Sequence, residues 1–333
     1  MTQAAILAAS ATSGVSQSLK NRIINGAMVI DQRNAGASVT PSVLYSTYTL
    51  DRWEANYSVG SKFSVQQNAG AVTPPAGFTN YLGVTSLSAY AISAGEIFNL
   101  QYKIEGYNIA DLGWGTANAK TVTLSFWVRS SLTGTFGGSL VNSGGNRSYP
   151  FSYTISSANT WEQKSVTIAG DTSGTWLTTN GIGLLLVFGL GVGSTYSGTA
   201  GSWSANNYYS ATGATSVVGT NGATFYITGV QLEVGTTATN FEYRIYSTEL
   251  INCQRYYYQT LVDSTPNYHT GQYNSTQQLG NVGLLVTMRV APTITANAGS
   301  TSTIGSIGVD NFSHSATTIS GAYLTGFKAT AEL

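Results

Sequence analysis

The sequence predicts an all-β chain: a β-sandwich or jelly roll, followed by one short helix and a smaller β-rich C-terminal domain. Three observations predict it. Charged residues make up 8% of the chain, against roughly 25% in an average soluble protein. Ser, Thr, Asn, Gly and Tyr stand in their place, a mix that suits strands and turns whose hydroxyls and amides face water. Finally, many short segments alternate apolar and polar residues with a period of two, and clusters of Gly, Pro, Asn and Ser separate them.

The elements follow in order. Met1–Ser18 carries no charge and is rich in small residues, the composition of a flexible arm. Residues 1–20 therefore stand apart from the segment 21–246, which reads as the sandwich. Within it, Lys62–Gln67 and Leu100–Ile104 alternate. Thr121–Arg129 places Val122, Leu124, Phe126 and Val128 on one face and Trp127 on the other. Trp161–Ile168 precedes a turn at Gly170–Asp171. The apolar run Ile182–Leu190 reads as a strand buried on both faces. Thr224–Val234 alternates around an internal glycine. Between these, Gly189–Gly222 is a long Gly-, Ser-, Thr- and Asn-rich segment of the kind that is packed or functional.

Residues 247–333 read as a helix followed by the smaller domain. The helix is expected over Ser247–Tyr258, capped by Ser247 or Thr248, with Glu249 in its first turn. Leu250, Ile251, Cys253 and Tyr257 would form its buried stripe. Leu284–Val290, Thr303–Val309 and Tyr323–Ala331 then read as strands.

Several functions are disfavoured by composition. One cysteine, Cys253, allows neither an intrachain disulfide nor a Cys-based zinc site. Net charge is zero, from 14 basic and 14 acidic residues, and no basic run invites nucleic acid. No apolar stretch approaches the roughly 20 residues of a membrane helix. Ala4–Ala9 is short and lacks a preceding cation, so no export leader is expected. Neither histidine, His269 nor His314, lies beside a nucleophile motif, and His314 reads as part of a turn. Two carboxylate pairs merit weighing for glycan hydrolysis, Asp51 with Glu54 and Glu105 with Asp111. The first reads as a strand start with a salt bridge and the second as the flanks of a turn. The expectation is a protein that is not an enzyme and uses no cofactor and no metal.

Sugar binding requires less machinery. An aromatic ring covers the C–H face of a pyranose while amides and hydroxyls bind its oxygens. The chain has 21 Tyr and 6 Trp. The loop aromatics Trp203, Tyr208, Tyr209, Tyr268 and Tyr273 are the glycan-contact candidates, with packing of the loop as the competing role. Tyr256, Tyr257 and Tyr258 cannot all point one way on a helix. An intersubunit seam and burial within the same chain are equally open for them.

Three stretches together resemble a recurrent family of tailed-phage tail-fibre and virion structural proteins. They are NRIINGAMVIDQRNAG (21–36) with YTLDRW (48–53), KTVTLSFWVRSSLTGTFGGSL (120–140), and TFYITGVQLEVGTTATNFEYRIYSTELINCQRYYYQ (224–259). The last two are also similar to jelly-roll carbohydrate-binding modules. The resemblance implies a jelly-roll domain on a phage particle, in the tail rather than on the capsid surface, commonly in a homotrimer. It further implies that the N-terminal segment anchors to other virion proteins and that a distal region attaches to host cell-surface glycans. The host contact is expected in Gly189–Gly222 or in residues 260–333. A capsid decoration protein, as cement or head fibre, is the alternative, and a secreted carbohydrate-binding module a further one.

Overall fold

The computed structural model describes residues 20–43, 45–260, 268–269, 271–272, 278–316 and 323–333. All but the last residue of the expected N-terminal arm, and Tyr273, lie outside them. In chain order the sandwich strands are β1 (Tyr45–Leu50), β2 (Trp53–Tyr57), β3 (Phe63–Gln67), β4 (Leu82–Ser86), β5 (Ile97–Glu105), β6 (Val122–Ser130), β7 (Gly134–Val141), β8 (Ser148–Ile155), β9 (Glu162–Ile168), β10 (Ile182–Val192), β11 (Ser197–Gly198), β12 (Ser210–Ala211) and β13 (Thr224–Val234). They form a jelly-roll sandwich. One antiparallel sheet runs β1-β2-β5-β10-β7-β8 and the facing sheet runs β3-β4-β13-β6-β9.

Alternation builds the core. Val122, Leu124, Phe126 and Val128 of β6 are fully buried, while Trp127 between them is half-buried on the other face. Phe126 sits at the centre, edge-on to Tyr153 at 4.9 Å and to Phe188 at 5.0 Å. Such contacts favour edge-to-face aromatic geometry. From β10, Leu184, Leu186, Phe188 and Leu190 enter the same core, and Val187 on the opposite face is also buried. The segment carrying β12 lies over that outer face. A Cβ placed at Gly137 or Gly189 would come 2.3 or 2.9 Å from Ser210 Oγ. Glycine at these two positions therefore permits the overlay.

Sequence-distant motifs meet at a bulge in β13. Gly229 adopts a φ of 60°, and the register against β6 slips between Thr228 and Gln231, the geometry of a β-bulge. The bulge turns Val230 toward the Asn21–Gly26 turn. Val230 N–H donates to Gly26 O at 2.9 Å, and Asn21 Nδ2 donates to Val230 O at 3.0 Å. A Cβ on Gly26 would lie 2.2 Å from Val230 O. Trp53 Nε1 donates to Asn25 O at 3.1 Å, and Arg244 Nη1 donates to Ile23 O at 3.1 Å. Residues 21–26, Trp53, Val230 and Arg244 thus form one hydrogen-bonded unit.

The helix, α1, spans Tyr246–Gln254, starting two residues earlier than a Ser247 cap would give and ending four residues before Tyr258. Its N-cap is Ile245, without a side-chain cap. Neither Ser247 nor Thr248 serves, because Arg244 and Glu249 fix the chain's arrival. Glu249 is buried and accepts from Asn25 N–H and from Arg244 Nη1. Cys253 joins the sandwich core and Leu250 packs against it. Ile251, expected inside, is 53% exposed. Tyr257 is not helical: it starts β14 (Tyr257–Gln259).

The smaller β-rich unit follows, with β15 (Tyr268–His269), β16 (Gly271–Gln272), β17 (Gln278–Gly283), β18 (Thr293–Ala296), β19 (Thr303–Ile307), β20 (Asn311–Ala316), β21 (Tyr323–Leu324) and β22 (Phe327–Thr330). Its separate core gathers Val282, Met288, Phe312, Leu324, Phe327, Ala329 and Ala331. Two expectations are corrected here. Leu284–Val290 is not a strand: the backbone N–H groups of Leu284, Met288 and Arg289 bond singly to Asp310, Val309 and Arg255 rather than to a neighbouring ladder. His314 is not in a turn but in β20, buried beside the glycine of β17, Gly280.

A cationic slot fastens the end of this unit to the sandwich. Glu332 is paired with Arg33 at 2.7 Å and with Arg52. The Arg52 side chain is 1% exposed, and its guanidinium lies 3.6 Å from the Tyr256 ring centre. That of Arg33 lies 3.7 Å from the ring centre of Tyr257. Lys103 Nζ and Tyr48 Oη donate to Leu333 O at 2.8 and 3.2 Å.

Candidate functional site

The Gly189–Gly222 segment is a packed loop. Its first residues continue β10 to Val192, and β11 and β12 then pair in parallel. Trp203 projects onto an aromatic platform. Its ring meets Trp114 at 5.3 Å, Trp176 at 5.5 Å and Tyr149 at 5.2 Å. Its indole N–H is committed to Ala169 O at 2.8 Å. The platform rests on an ion pair: Arg147 Nε and Nη2 donate to Asp171 at 2.8 and 2.5 Å, and Trp176 Nε1 donates to the same carboxylate at 3.2 Å. Hydrogen bonding to Asp171 raises the Arg147 pKa, so this guanidinium stays charged and paired. Burial raises the pKa of the Tyr149 phenol.

Tyr208 and Tyr209 form the adjoining half-buried surface. The Tyr208 ring covers Gly198, where a Cβ would meet it at 2.2 Å. The Tyr209 ring lies 5.6 Å from that of Tyr196. Each phenol oxygen accepts from the asparagine two residues earlier, Asn206 Nδ2 to Tyr208 at 3.2 Å and Asn207 Nδ2 to Tyr209 at 3.0 Å. Each phenol keeps an O–H that can donate. Asn207 Oδ1 is buried and has no donor among the described residues. Partly exposed rings and two phenol O–H groups are of the kind that bind the C–H faces and hydroxyls of a sugar.

Trp203, Tyr208 and Tyr209 lie in the one loop, each with its own ring neighbours: Trp203 with Trp114, Tyr149 and Trp176, Tyr208 over Gly198, and Tyr209 with Tyr196. Tyr268 lies in β15, paired with Leu324 in the C-terminal unit, and is not gathered with them. Tyr256 and Tyr257 are buried by their own chain. Tyr256 Oη donates to Glu105 at 2.7 Å, and Tyr257 Oη donates to Gln259 Oε1 at 2.7 Å. Tyr258 is half-buried and lies 5.6 Å from Phe327. Trp114, Tyr149, Trp176, Asn206 and Asn207 were not singled out from the sequence. The Asn-Asn-Tyr-Tyr run was the available signal, since it pairs each amide with the phenol two residues on.

The two carboxylate pairs do not face each other as acid and base. Asp51 accepts from Gln32 N and Nε2 at 2.7 and 2.6 Å, and burial raises its pKa to about 6. Glu54 pairs with Lys103 at 2.8 Å, Glu105 with Arg255 at 2.9 Å and Asp111 with Arg22 at 2.7 Å. These are fastenings between segments.

No protein-family model matches the chain, and no curated protein matches it. Among solved structures it is similar to the enzymatically active domain of tailspike protein 4 of Bacteriophage CBA120, at 11% identity and a TM-score of 0.32. That match covers 65% of this chain and 22% of the tailspike chain. It is also similar to a family 11 carbohydrate-binding module from a Clostridium thermocellum cellulase, at 13% identity and a TM-score of 0.30, covering 60% of this chain and all of the module. A third similar structure is a putative sugar binding protein of Bacteroides thetaiotaomicron, at 12% identity and a TM-score of 0.33, covering 65% of this chain and all of that one.

Proposed function

We propose that this chain is a glycan-binding, non-enzymatic structural subunit of a tailed-phage particle, a tail fibre or receptor-binding protein that attaches to host cell-surface glycans. The observation that carries the glycan reading is the 203–209 segment: a half-buried tryptophan and two half-buried tyrosines, the tyrosine phenols held by Asn206 and Asn207. The virion reading rests on the family resemblance of residues 21–53, 120–140 and 224–259. Residues 1–20 would then attach the subunit to other virion proteins.

The subunit acts as a homotrimer in this reading, which raises weak glycan affinity through multivalency. Tyr243, Ile245, Tyr246 and Ile251 are 53–76% exposed along one short stretch, an apolar surface that assembly with further copies would cover. Light scattering is expected to give three times the chain mass, and a monomer would remove this part of the proposal.

The direct test is binding of labelled full-length protein to candidate host cells before and after periodate oxidation of their glycans. Saturable binding that oxidation abolishes is expected. Folded, assembled protein that ignores its confirmed host would instead favour a capsid decoration role.

A further inference from the structure

We infer that the glycan recognised at the 203–209 surface is uncharged, an inference that rests on the glycan-binding reading above and narrows its ligand class. Between Asp171 and Glu233 the sequence holds no Asp, Glu, Lys, Arg or His. This interval supplies β10, β11, β12 and the entire loop that carries Trp203, Tyr196, Tyr208 and Tyr209. This segment therefore offers rings, hydroxyls, amides and backbone, and no charged side chain to neutralise an anion.

The cation nearest its rings among the described contacts, Arg147, is already paired. Arg147 lies 5.9 Å from the Trp203 ring centre, but its Nε and Nη2 both bind Asp171. The Asp171 side chain is 2% exposed, so drawing Arg147 toward a ligand carboxylate or phosphate would leave a buried carboxylate uncompensated. Breaking a buried pair in that way is strongly unfavourable. A uronate, sialate, sulfate or phosphate placed here would lose hydration with no counter-charge to replace it. A neutral sugar meets no such penalty. Its hydroxyls can accept from Tyr208 and Tyr209 Oη, and its C–H face can cover a ring.

The test is calorimetric titration of the full-length protein with a panel of neutral oligosaccharides and length-matched counterparts carrying carboxylate or phosphate, each at low and high salt. The expected result is at least about tenfold tighter binding of the neutral member, in line with the cost of an unpaired charge. Affinity should change less than about twofold with ionic strength, because no exposed charge is screened. The double variant Tyr208→Phe, Tyr209→Phe keeps both rings and should weaken neutral binding about fivefold or more, the worth of one to two hydrogen bonds. Preference for the acidic member, or affinity that falls steeply with salt, overturns the uncharged-ligand inference while leaving glycan binding intact. Absence of binding to every member overturns the glycan reading itself.

Discussion

Replacing Glu332 by Gln removes the charge shared by two buried arginines and probes what joins the C-terminal unit to the sandwich. The Glu332 side chain is 5% exposed, that of Arg52 1% and that of Arg33 13%. Breaking a buried ion pair by removing one partner costs roughly 3–5 kcal/mol. A glutamine can still accept one neutral hydrogen bond, and the Tyr256 and Tyr257 rings remain against the guanidinium groups, so the lower end, about 3 kcal/mol, applies. Urea denaturation of both proteins measures the loss. Hydrogen exchange of β14 and β22, the strands adjoining the slot, should quicken by about two orders of magnitude, since 1.4 kcal/mol is tenfold in an equilibrium constant. A double-mutant cycle with Arg52→Met should show coupling above about 1 kcal/mol. A loss below about 0.5 kcal/mol without coupling, the behaviour of an exposed pair, would refute the reasoning.

Asp51 gives a pH dependence whose sign follows from its burial. Its pKa rises from 3.8 to about 6 on folding, so the folded state holds the proton more tightly and this contribution to stability is lost as pH climbs through 6. The shift corresponds to about 3 kcal/mol. Melting curves of Asp51→Asn and the parent from pH 4 to 7.5 should therefore diverge in favour of the variant as pH rises; parallel curves contradict the assignment. Gly26→Ala places a methyl 2.2 Å from Val230 O and should cost at least about 2 kcal/mol, as overpacking does; unchanged urea midpoints would show that the turn does not need glycine. Phe126→Ala, at the fully buried centre of the sandwich, should cost about 3–5 kcal/mol, and a cost under 1 kcal/mol would place the core elsewhere.

The strands that meet both sheets were the most legible parts of the chain. β6 and β13 alternate because one face meets the apolar sandwich core while the other buries polar side chains such as Thr123, Ser125, Thr228 and Gln231, and β10 is apolar on both faces because the β12 segment covers it. Periodicity reports burial and not pairing, which is why Leu284–Val290 misleads. Leu284, Val286 and Met288 turn inward in alternation, but their backbone groups bond to loops. His314 was hidden by its polar neighbours, although Phe312 and His314 share the buried side of β20. The helix limits depended on Arg244 and Glu249, whose partners Asn21, Ile23 and Asn25 lie more than two hundred residues away in sequence. At the candidate site, Trp203, Tyr208 and Tyr209 could be singled out as loop aromatics. The amides that hold the phenols, and the Trp114–Trp176–Tyr149 platform beneath Trp203, emerge only when β8, the connections that precede β6 and β10, and the loop are folded together.

Hydrogen exchange of the full-length protein with and without a bound neutral oligosaccharide tests the central claim most directly. Protection confined to residues 203–209 and the neighbouring 142–147 turn is the predicted result. Ligand-dependent protection elsewhere, with residues 193–222 exchanging at the same rate in both states, would contradict it.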